Sequence, residues 1–223
     1  MGAGLVKLNI GCAANMFPHW ENLDKVDQSG FIEHMRGIPN DCRIGWPAWQ
    51  AKLSDDCKAG RIECTVKDLR KGFDEYPSDS VDAIYLGQMI EHLNPIYEAP
   101  AFLVECFRML KPGGKIRITT PDLTMLLDAY QKGELGKFAF EQPAFYANAL
   151  PEAQLSYLMF GACGPECTTD KYEGHFAIYT PQWLGALLQT AGFELLSGDK
   201  SSEFAECVDM GMSHSMGIEA VKP

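Results

Sequence analysis

Short apolar runs alternate along the chain with segments whose apolar residues recur at helical spacing. The runs Val6–Ile10 and Val81–Leu86 have the length and composition of buried strands. Apolar residues between 102 and 110 lie three or four positions apart and predict one face of a helix. A second helix is predicted to begin after Thr180 and to end before Gly192. Strands that alternate with helices predict a doubly wound α/β sheet.

Further elements complete the predicted sheet. Strands are expected near 62–66 and 115–120, and the Lys-Pro-Gly-Gly turn at 111–114 is expected to separate the second of them from the helix before it. Two closing strands are expected near 193–196 and 216–221, and one of them is predicted to be antiparallel to the rest. The whole is a Rossmann-like, mostly parallel sheet.

Two stretches, 26–59 and 134–174, do not fit the alternation and are predicted to be insertions. Because loops of this length often carry function, we expect them to form a lid and the substrate pocket over one domain that spans residues 1–223. The alternative is that they only cover the edges of the sheet.

Charge and composition exclude several classes of function. The formal net charge is −11 and no basic stripe is present, which argues against nucleic acid and anionic membranes as partners. No apolar run reaches the roughly 20 residues of a membrane span, and no signal peptide is visible, so a cytoplasmic protein is expected. The 8 cysteines are scattered without a CxxC pair, and no metal site is expected from them.

Glycine, carboxylate and amide residues follow the predicted strands one after another. A parallel sheet binds ligands at the carboxyl ends of its strands, where small residues allow a close approach of the backbone and the amides that follow can meet polar groups. A carboxylate in such a place can accept hydrogen bonds from a ribose diol or from an adenine amino group. In chain order these strand-end groups are Gly11-Cys12-Ala13, Asp24, Asp68-Leu69 and Gly87-Gln88.

Four segments carry a resemblance to a known family. The run from Leu8 to Ala13 resembles motif I of the class I methyltransferases that use S-adenosylmethionine (SAM). The segments Ser80–Leu93, with its Glu-His-Leu, and Glu105–Lys115 resemble the type 11 branch of that family. Trp20–Asp24 resembles a subgroup of compact predicted methyltransferases.

The resemblance implies SAM as cofactor and assigns each strand-end group to one part of it. Family members usually have glycine where this chain has Ala13, and often another where it has Asn15, which predicts a tighter pocket. The implied contacts are Gly11, Cys12 and Ala13 with the methionine part, Asp24 with the ribose, Asp68 and Leu69 with the adenine, and Gly87 and Gln88 with the sulfonium side.

Methyl transfer from SAM requires alignment of a nucleophile, and an oxygen or protonated nitrogen acceptor also requires a base. His92 follows the cofactor-facing strand and His175 ends the second insertion, so these two residues are the candidate catalytic groups. Tyr179 and, more weakly, His34 are the candidates for contact with the acceptor. A small molecule or sugar-like group is the expected acceptor, and the oligomeric state stays open.

Two other functions compete with this prediction. A nicotinamide-dependent dehydrogenase requires G-x-G-x-x-G, which is absent after Gly11. A non-catalytic SAM-binding module that acts through a partner remains open, because aromatic residues of the insertions, such as Trp46 and Tyr146, suit an interface as well as a pocket.

Overall fold

A computed structural model of the chain describes residues 4–12, 15–25, 62–68, 71–141, 148–160, 174–207, 209 and 214–223. Seven strands lie within this part of the chain. They are β1 (Lys7–Ile10), β2 (Glu21–Asp24), β3 (Cys64–Val66), β4 (Val81–Gly87), β5 (Leu110–Pro121), β6 (Glu194–Leu196) and β7 (Ser215–Val221).

The seven strands form one sheet in the order β3-β2-β1-β4-β5-β7-β6. Strands β1 to β5 pair in parallel, whereas β7 is antiparallel to both β5 and β6. Because the chain moves outward from β1 to β3 and then returns to place β4 on the other side of β1, the strand order reverses between β1 and β4. The predicted doubly wound, mostly parallel sheet with an antiparallel closing strand is confirmed.

Four α-helices are described: α1 (Glu98–Met109), α2 (Leu123–Lys132), α3 (Pro151–Phe160) and α4 (Pro181–Thr190). The predicted apolar face of α1 is buried and shares one apolar cluster with β1, β4, β5 and α4. The cap predicted for α4 is also present, since the Thr180 hydroxyl accepts a hydrogen bond from the amide of Trp183 at 3.1 Å. The main core therefore lies between the sheet and helices α1 and α4.

The predicted turn at 111–114 is part of a strand. β5 begins at Leu110, directly after α1, and pairs there with Val81; the next pair is Ala83 with Lys115, so residues 111–114 bulge out of the ladder. Gly113 has φ +79° and its amide donates to the carbonyl of Lys222 at 2.7 Å. Residues 111–114 nevertheless remain part of the sheet, because β5 pairs with β4 on both sides of them and Gly113 is hydrogen-bonded to Lys222 after β7.

The insertion predicted at 26–59 lies outside the described residues. In the second predicted insertion, 134–174, the described elements are a 3₁₀ segment (Leu135–Glu141) and α3. Leu158 of α3 and Phe138 share an apolar cluster with Leu126 and Ala129 of α2. This part of the stretch therefore packs on α2, and its role as a lid stays a prediction. No helix among the described residues is long and apolar enough to span a membrane.

Candidate active site

The carboxyl ends of β1, β2 and β4 meet at one edge of the sheet. Ile10 pairs with Leu23, and Asn9 pairs with Tyr85. One further step along β1 and β2, and two along β4, bring Gly11 beside Asp24 and Gly87. Neighbouring strands lie about 4.8 Å apart, so these strand ends form a continuous row at the reversal of strand order. The structure thus brings together the first, second and fourth of the predicted strand-end groups.

Gly11 is required by its surroundings. Its φ is +68°, and a Cβ built on it would lie 2.2 Å from Cγ of Met89. The amides of Gly11 and Cys12 both donate to the carbonyl of Leu23, at 2.8 and 3.1 Å. These two amides tie the loop after β1 to β2, and the expected contact of the loop with a ligand stays a prediction. Ala13 lies outside the described residues.

Two buried asparagines, which the sequence analysis missed, support this loop. The side-chain amide of Asn9 donates to the carbonyl of Asn15 at 2.6 Å and to Oδ1 of Asn22 at 2.9 Å. Asn22 in turn accepts from the amide of Phe17 at 2.9 Å and donates to its carbonyl at 3.1 Å. Asparagine is disfavoured inside strands, and its occurrence in both β1 and β2 is the signal that pointed to a polar role.

The two predicted carboxylates differ in exposure. Asp24 ends β2 and is only 7% exposed. The pKa of the neighbouring Cys12 thiol is raised first by its hydrogen bond with Cys64 and then by burial. The negative charge of Asp24 raises it further. Asp68 is half-buried beyond β3, and its carbonyl accepts from the amide of Lys71 at 3.0 Å. Leu69 lies outside the described residues.

Gln88 follows β4 in a strained conformation. Its φ is +54°, unusual for a residue with a side chain, and strain of this kind clusters at functional sites. Its backbone amide donates to the carbonyl of Thr119 at 2.8 Å, and the contact of Gln88 with the ligand stays a prediction. The side-chain nitrogen donates to Ser215 at 3.2 Å. The side-chain oxygen is buried without a hydrogen-bond partner among the described residues, so it can accept a hydrogen bond from a ligand.

The two candidate catalytic histidines, far apart in the sequence, are brought together by the fold. The ring centroids of His92 and His175 lie 5.0 Å apart with the rings nearly perpendicular. His92 ends the 3₁₀ segment Ile90–His92 after β4. The segment that carries His175 is held by Phe176, whose amide donates to the carbonyl of Glu91 at 2.8 Å. The prediction that these histidines share a site agrees with this geometry.

Glu91 joins the histidines and was not among the predicted residues. It is fully buried, and burial raises the pKa of its carboxyl to about 8. Its Oε2 accepts from the Thr120 hydroxyl at 2.9 Å, whereas Oε1 has no hydrogen-bond partner among the described residues. One ligand atom each of Glu91, His92 and His175 lies within 4.8 Å of the others. A charged residue between the apolar Ile90 and Leu93, four residues after a buried strand, was the available signal.

His175 is buried as a neutral ring. Burial first, and then His92, lowers its pKa to about 4. Its Nδ1 lies 2.9 Å from the carbonyl oxygen of Met159 in α3. Because a carbonyl oxygen can only accept, Nδ1 carries the proton and Nε2 carries the lone pair.

Tyr179, the predicted substrate contact, lies beside this group. It is fully buried, and its hydroxyl has no hydrogen-bond partner among the described residues. Burial and the Glu91 carboxylate both raise the pKa of Tyr179, which places the two side chains near each other. The ring packs on Trp183 at 4.7 Å between centroids. His34 lies outside the described residues.

Comparison with known proteins relates the chain to methyltransferases. The family described as a methyltransferase domain, type 11, matches residues 48–118. The ubiquinone biosynthesis O-methyltransferase of Mus musculus mitochondria is 27% identical over 124 residues, which are 56% of this chain and 30% of that protein. The chain therefore spans less than a third of the length of this curated relative.

Solved structures show more distant likenesses over nearly the whole chain. A SAM-dependent methyltransferase from Aquifex aeolicus is 13% identical with a TM-score of 0.47, covering 98% of this chain and 82% of that one. A 1,6-didemethyltoxoflavin-N1-methyltransferase from Burkholderia thailandensis, solved with S-adenosylhomocysteine, is 12% identical with a TM-score of 0.47, covering 97% and 70%. Likenesses at this level do not establish a shared function.

The family match and the structure agree. The matched residues, 48–118, include β3, β4 and α1 and reach into β5, and the sheet around them is mostly parallel with the predicted antiparallel closing strand. Over residues 48–118 the chain is thus similar to the methyltransferase domain family, within a sheet of the kind that the resemblance implies.

Proposed function

We propose that this chain transfers the methyl group of SAM to an oxygen or nitrogen atom of a small-molecule or sugar-like acceptor. The observation that carries the proposal is the neighbourhood of two groups of residues. The row of strand ends around Gly11, Asp24 and Gly87 includes the end of β4, and the chain continues from there for four residues to Glu91, which forms a buried cluster with His175. One group suits the cofactor and the other suits the acceptor.

The strand-end row has the shape and charge that SAM requires. Gly11 carries no side chain, which allows the backbone of the loop after β1 to lie close to a bound molecule. The buried carboxylate of Asp24 can accept hydrogen bonds from both hydroxyls of the ribose. The side-chain oxygen of Gln88, which has no partner in the described part of the chain, can accept from the cofactor's polar groups. A carboxylate also favours a cationic ligand.

The other cofactor contacts remain proposals taken from the family resemblance. They are Cys12 and Ala13 with the methionine part, Asp68 and Leu69 with the adenine, and Gly87 with the sulfonium side.

The histidine cluster is proposed to bind the acceptor. Nε2 of His175 carries a lone pair that can take the proton from an acceptor hydroxyl, and His92 lies against the same ring. The Tyr179 hydroxyl, which has no partner among the described residues, can orient the acceptor. The O-methyltransferase activity in the name of the mouse relative supports an oxygen acceptor. His34 remains a candidate contact.

The chemistry requires little of the protein beyond positioning and one proton transfer. SAM already carries an activated methyl group, so the protein aligns the acceptor in line with the carbon–sulfur bond. Holding two reactants in that geometry contributes about 7–11 kcal/mol, and a positioned base contributes about 10²–10⁴-fold. Burial of the cluster excludes water from the reacting atoms.

The proposal is tested by transfer of a labelled methyl group from SAM to a panel of small hydroxyl and amine compounds. We expect transfer to at least one class, and a fall of about 10²–10⁴-fold for His175→Gln with binding of S-adenosylhomocysteine retained. An exposed histidine away from the site, His19, provides the matched control His19→Gln, which retains the activity of the wild type. If the wild type binds S-adenosylhomocysteine but transfers methyl to none of the panel, the chain is a non-catalytic SAM-binding module instead.

A further inference from the structure

We propose that Glu91, His92 and His175 bind one divalent transition-metal ion of the zinc class. The sequence analysis considered only the cysteines as metal ligands and expected no metal. The three residues proposed here come from two segments that are remote in the chain, so no sequence spacing indicates them. The fold brings one oxygen and two ring nitrogens to a common point.

The geometry suits a three-residue site. The three ligand atoms lie within 4.8 Å of one another. Zinc binds histidine nitrogen and carboxylate oxygen at about 2.0–2.2 Å, which sets tetrahedral ligand atoms about 3.4 Å apart. Side-chain shifts of about 1 Å bring the three atoms to that separation. Two histidines and one glutamate, with the fourth position open, form a known ligand set of catalytic zinc.

The residues around the three ligands orient them as they do in metal sites. Nδ1 of His175 donates to the carbonyl of Met159 at 2.9 Å, which directs the lone pair of the ring to Nε2. Oε2 of Glu91 accepts from Thr120 at 2.9 Å, and Oε1 has no hydrogen-bond partner among the described residues. Two of the three ligands are thus held by a second hydrogen bond, as ligands in metal sites commonly are.

A cation would also stabilise the ionised form of Glu91, which burial disfavours. Glu91 is fully buried, and no lysine or arginine pairs with it in the described part of the chain. Placing a carboxylate in an apolar interior costs several kcal/mol unless a positive charge compensates it. A divalent ion between Glu91 and two neutral imidazoles supplies that charge. Softer nitrogen ligands favour a zinc-class ion over magnesium or calcium.

The open position gives the ion a role that rests on the proposed function. With the ion bound, His175 would be a ligand and not the base, and the ion would lower the pKa of an acceptor hydroxyl at the open position so that the hydroxyl loses its proton to water. Binding of the ion itself does not depend on that function. The two statements therefore fail separately.

The test uses the full chain, stripped of metal with a chelator and titrated with Co²⁺, whose visible spectrum reports tetrahedral coordination. We expect one ion per chain with nitrogen and oxygen ligands and no thiolate-to-cobalt band. Glu91→Gln and His175→Gln are each expected to weaken binding by at least about 100-fold, since loss of a supporting residue alone costs 10–100-fold. His19→Gln and the double variant Cys12→Ser/Cys64→Ser bind as the wild type does.

Three results overturn the proposal: no binding to the wild type, full binding retained in both Glu91→Gln and His175→Gln, or binding lost in the cysteine variant. Far-ultraviolet circular dichroism shows whether each variant is folded. If only one of Glu91→Gln and His175→Gln is folded, the metal affinity of that variant alone tests the proposal. The same preparations are titrated with S-adenosylhomocysteine. A wild type that binds S-adenosylhomocysteine but does not bind Co²⁺ rejects the metal site and leaves the proposed function intact. A wild type that binds Co²⁺ but does not bind S-adenosylhomocysteine rejects the cofactor site alone.

Discussion

At the scale of single residues, Gly11 and Gly133 illustrate two reasons why a position requires glycine: a positive φ angle and a lack of space for a Cβ atom. Both have positive φ, +68° and +69°, but a Cβ on Gly11 would meet Met89 at 2.2 Å, whereas one on Gly133 meets nothing within 4 Å. Gly133→Ala is expected to lower the free energy of unfolding by about 1–2 kcal/mol, the cost of the left-handed conformation. Gly11→Ala adds overpacking of about 1–3 kcal/mol. Equal losses in urea unfolding of the two variants contradict the crowding described at Gly11.

Residues at strand ends could be predicted because a parallel sheet fixes where its strands end. Gly11 and Asp24 needed only the limits of β1 and β2, and the structure places them side by side. The partners of His175 could not be predicted in this way. Glu91 lies beside His175 and accepts a hydrogen bond from Thr120 through tertiary packing of separate elements. No periodicity in the sequence encodes that packing. Ala13, Leu69 and His34 remain predictions.

At the scale of elements, the cap of α4 offers a direct test. The Thr180 hydroxyl accepts from the amide of Trp183, which the helix itself leaves without a partner. Thr180→Ala is expected to lower the free energy of unfolding by about 1 kcal/mol, and Thr180→Ser is expected to restore most of it. The measurement is urea unfolding followed by circular dichroism. An alanine variant as stable as the wild type contradicts the assigned cap.

The first and last residues of a helix or strand could be predicted from the sequence where neighbouring residues in the chain determine them. The capping threonine and the proline after it marked the start of α4, and a continuous apolar run marked β4. The residues 111–114 show where local chemistry was insufficient. Proline and glycine signal a turn, but pairing of Leu110 with Val81 keeps the segment in the sheet. That pairing depends on a strand 29 residues earlier (110 − 81), which a local signal does not contain.

At the scale of the whole molecule, stability in acid depends on buried histidine. His214 is 3% exposed, and burial lowers its pKa from the ordinary value of 6.5 to about 4. The unfolded chain therefore binds this proton at a pH where the folded chain does not. Stability that is complete above pH 6.5 is lost as the pH falls toward 4, by about 2 kcal/mol between pH 6.5 and 5.

His214→Phe removes this titration, and the ring of Phe138 that packs against His214 at 5.1 Å suits an aromatic replacement. Urea unfolding of both proteins from pH 7 to 5 is expected to show a loss in the wild type that exceeds the loss in the variant by about 2 kcal/mol. Parallel curves for the two proteins indicate that His214 is not held neutral by burial.

The central claim is that SAM binds at the carboxyl ends of β1 to β4. It is tested most directly by calorimetric titration of S-adenosylhomocysteine into the wild type, Asp24→Ala and Glu21→Ala. Both carboxylates lie in β2, at its opposite ends, so Glu21→Ala is a matched control. We predict binding to the wild type and to Glu21→Ala, and a loss of about 10–150-fold in affinity for Asp24→Ala, as charged hydrogen bonds contribute about 1.5–3 kcal/mol. Equal affinity of all three proteins, or no binding to the folded wild type, contradicts the account.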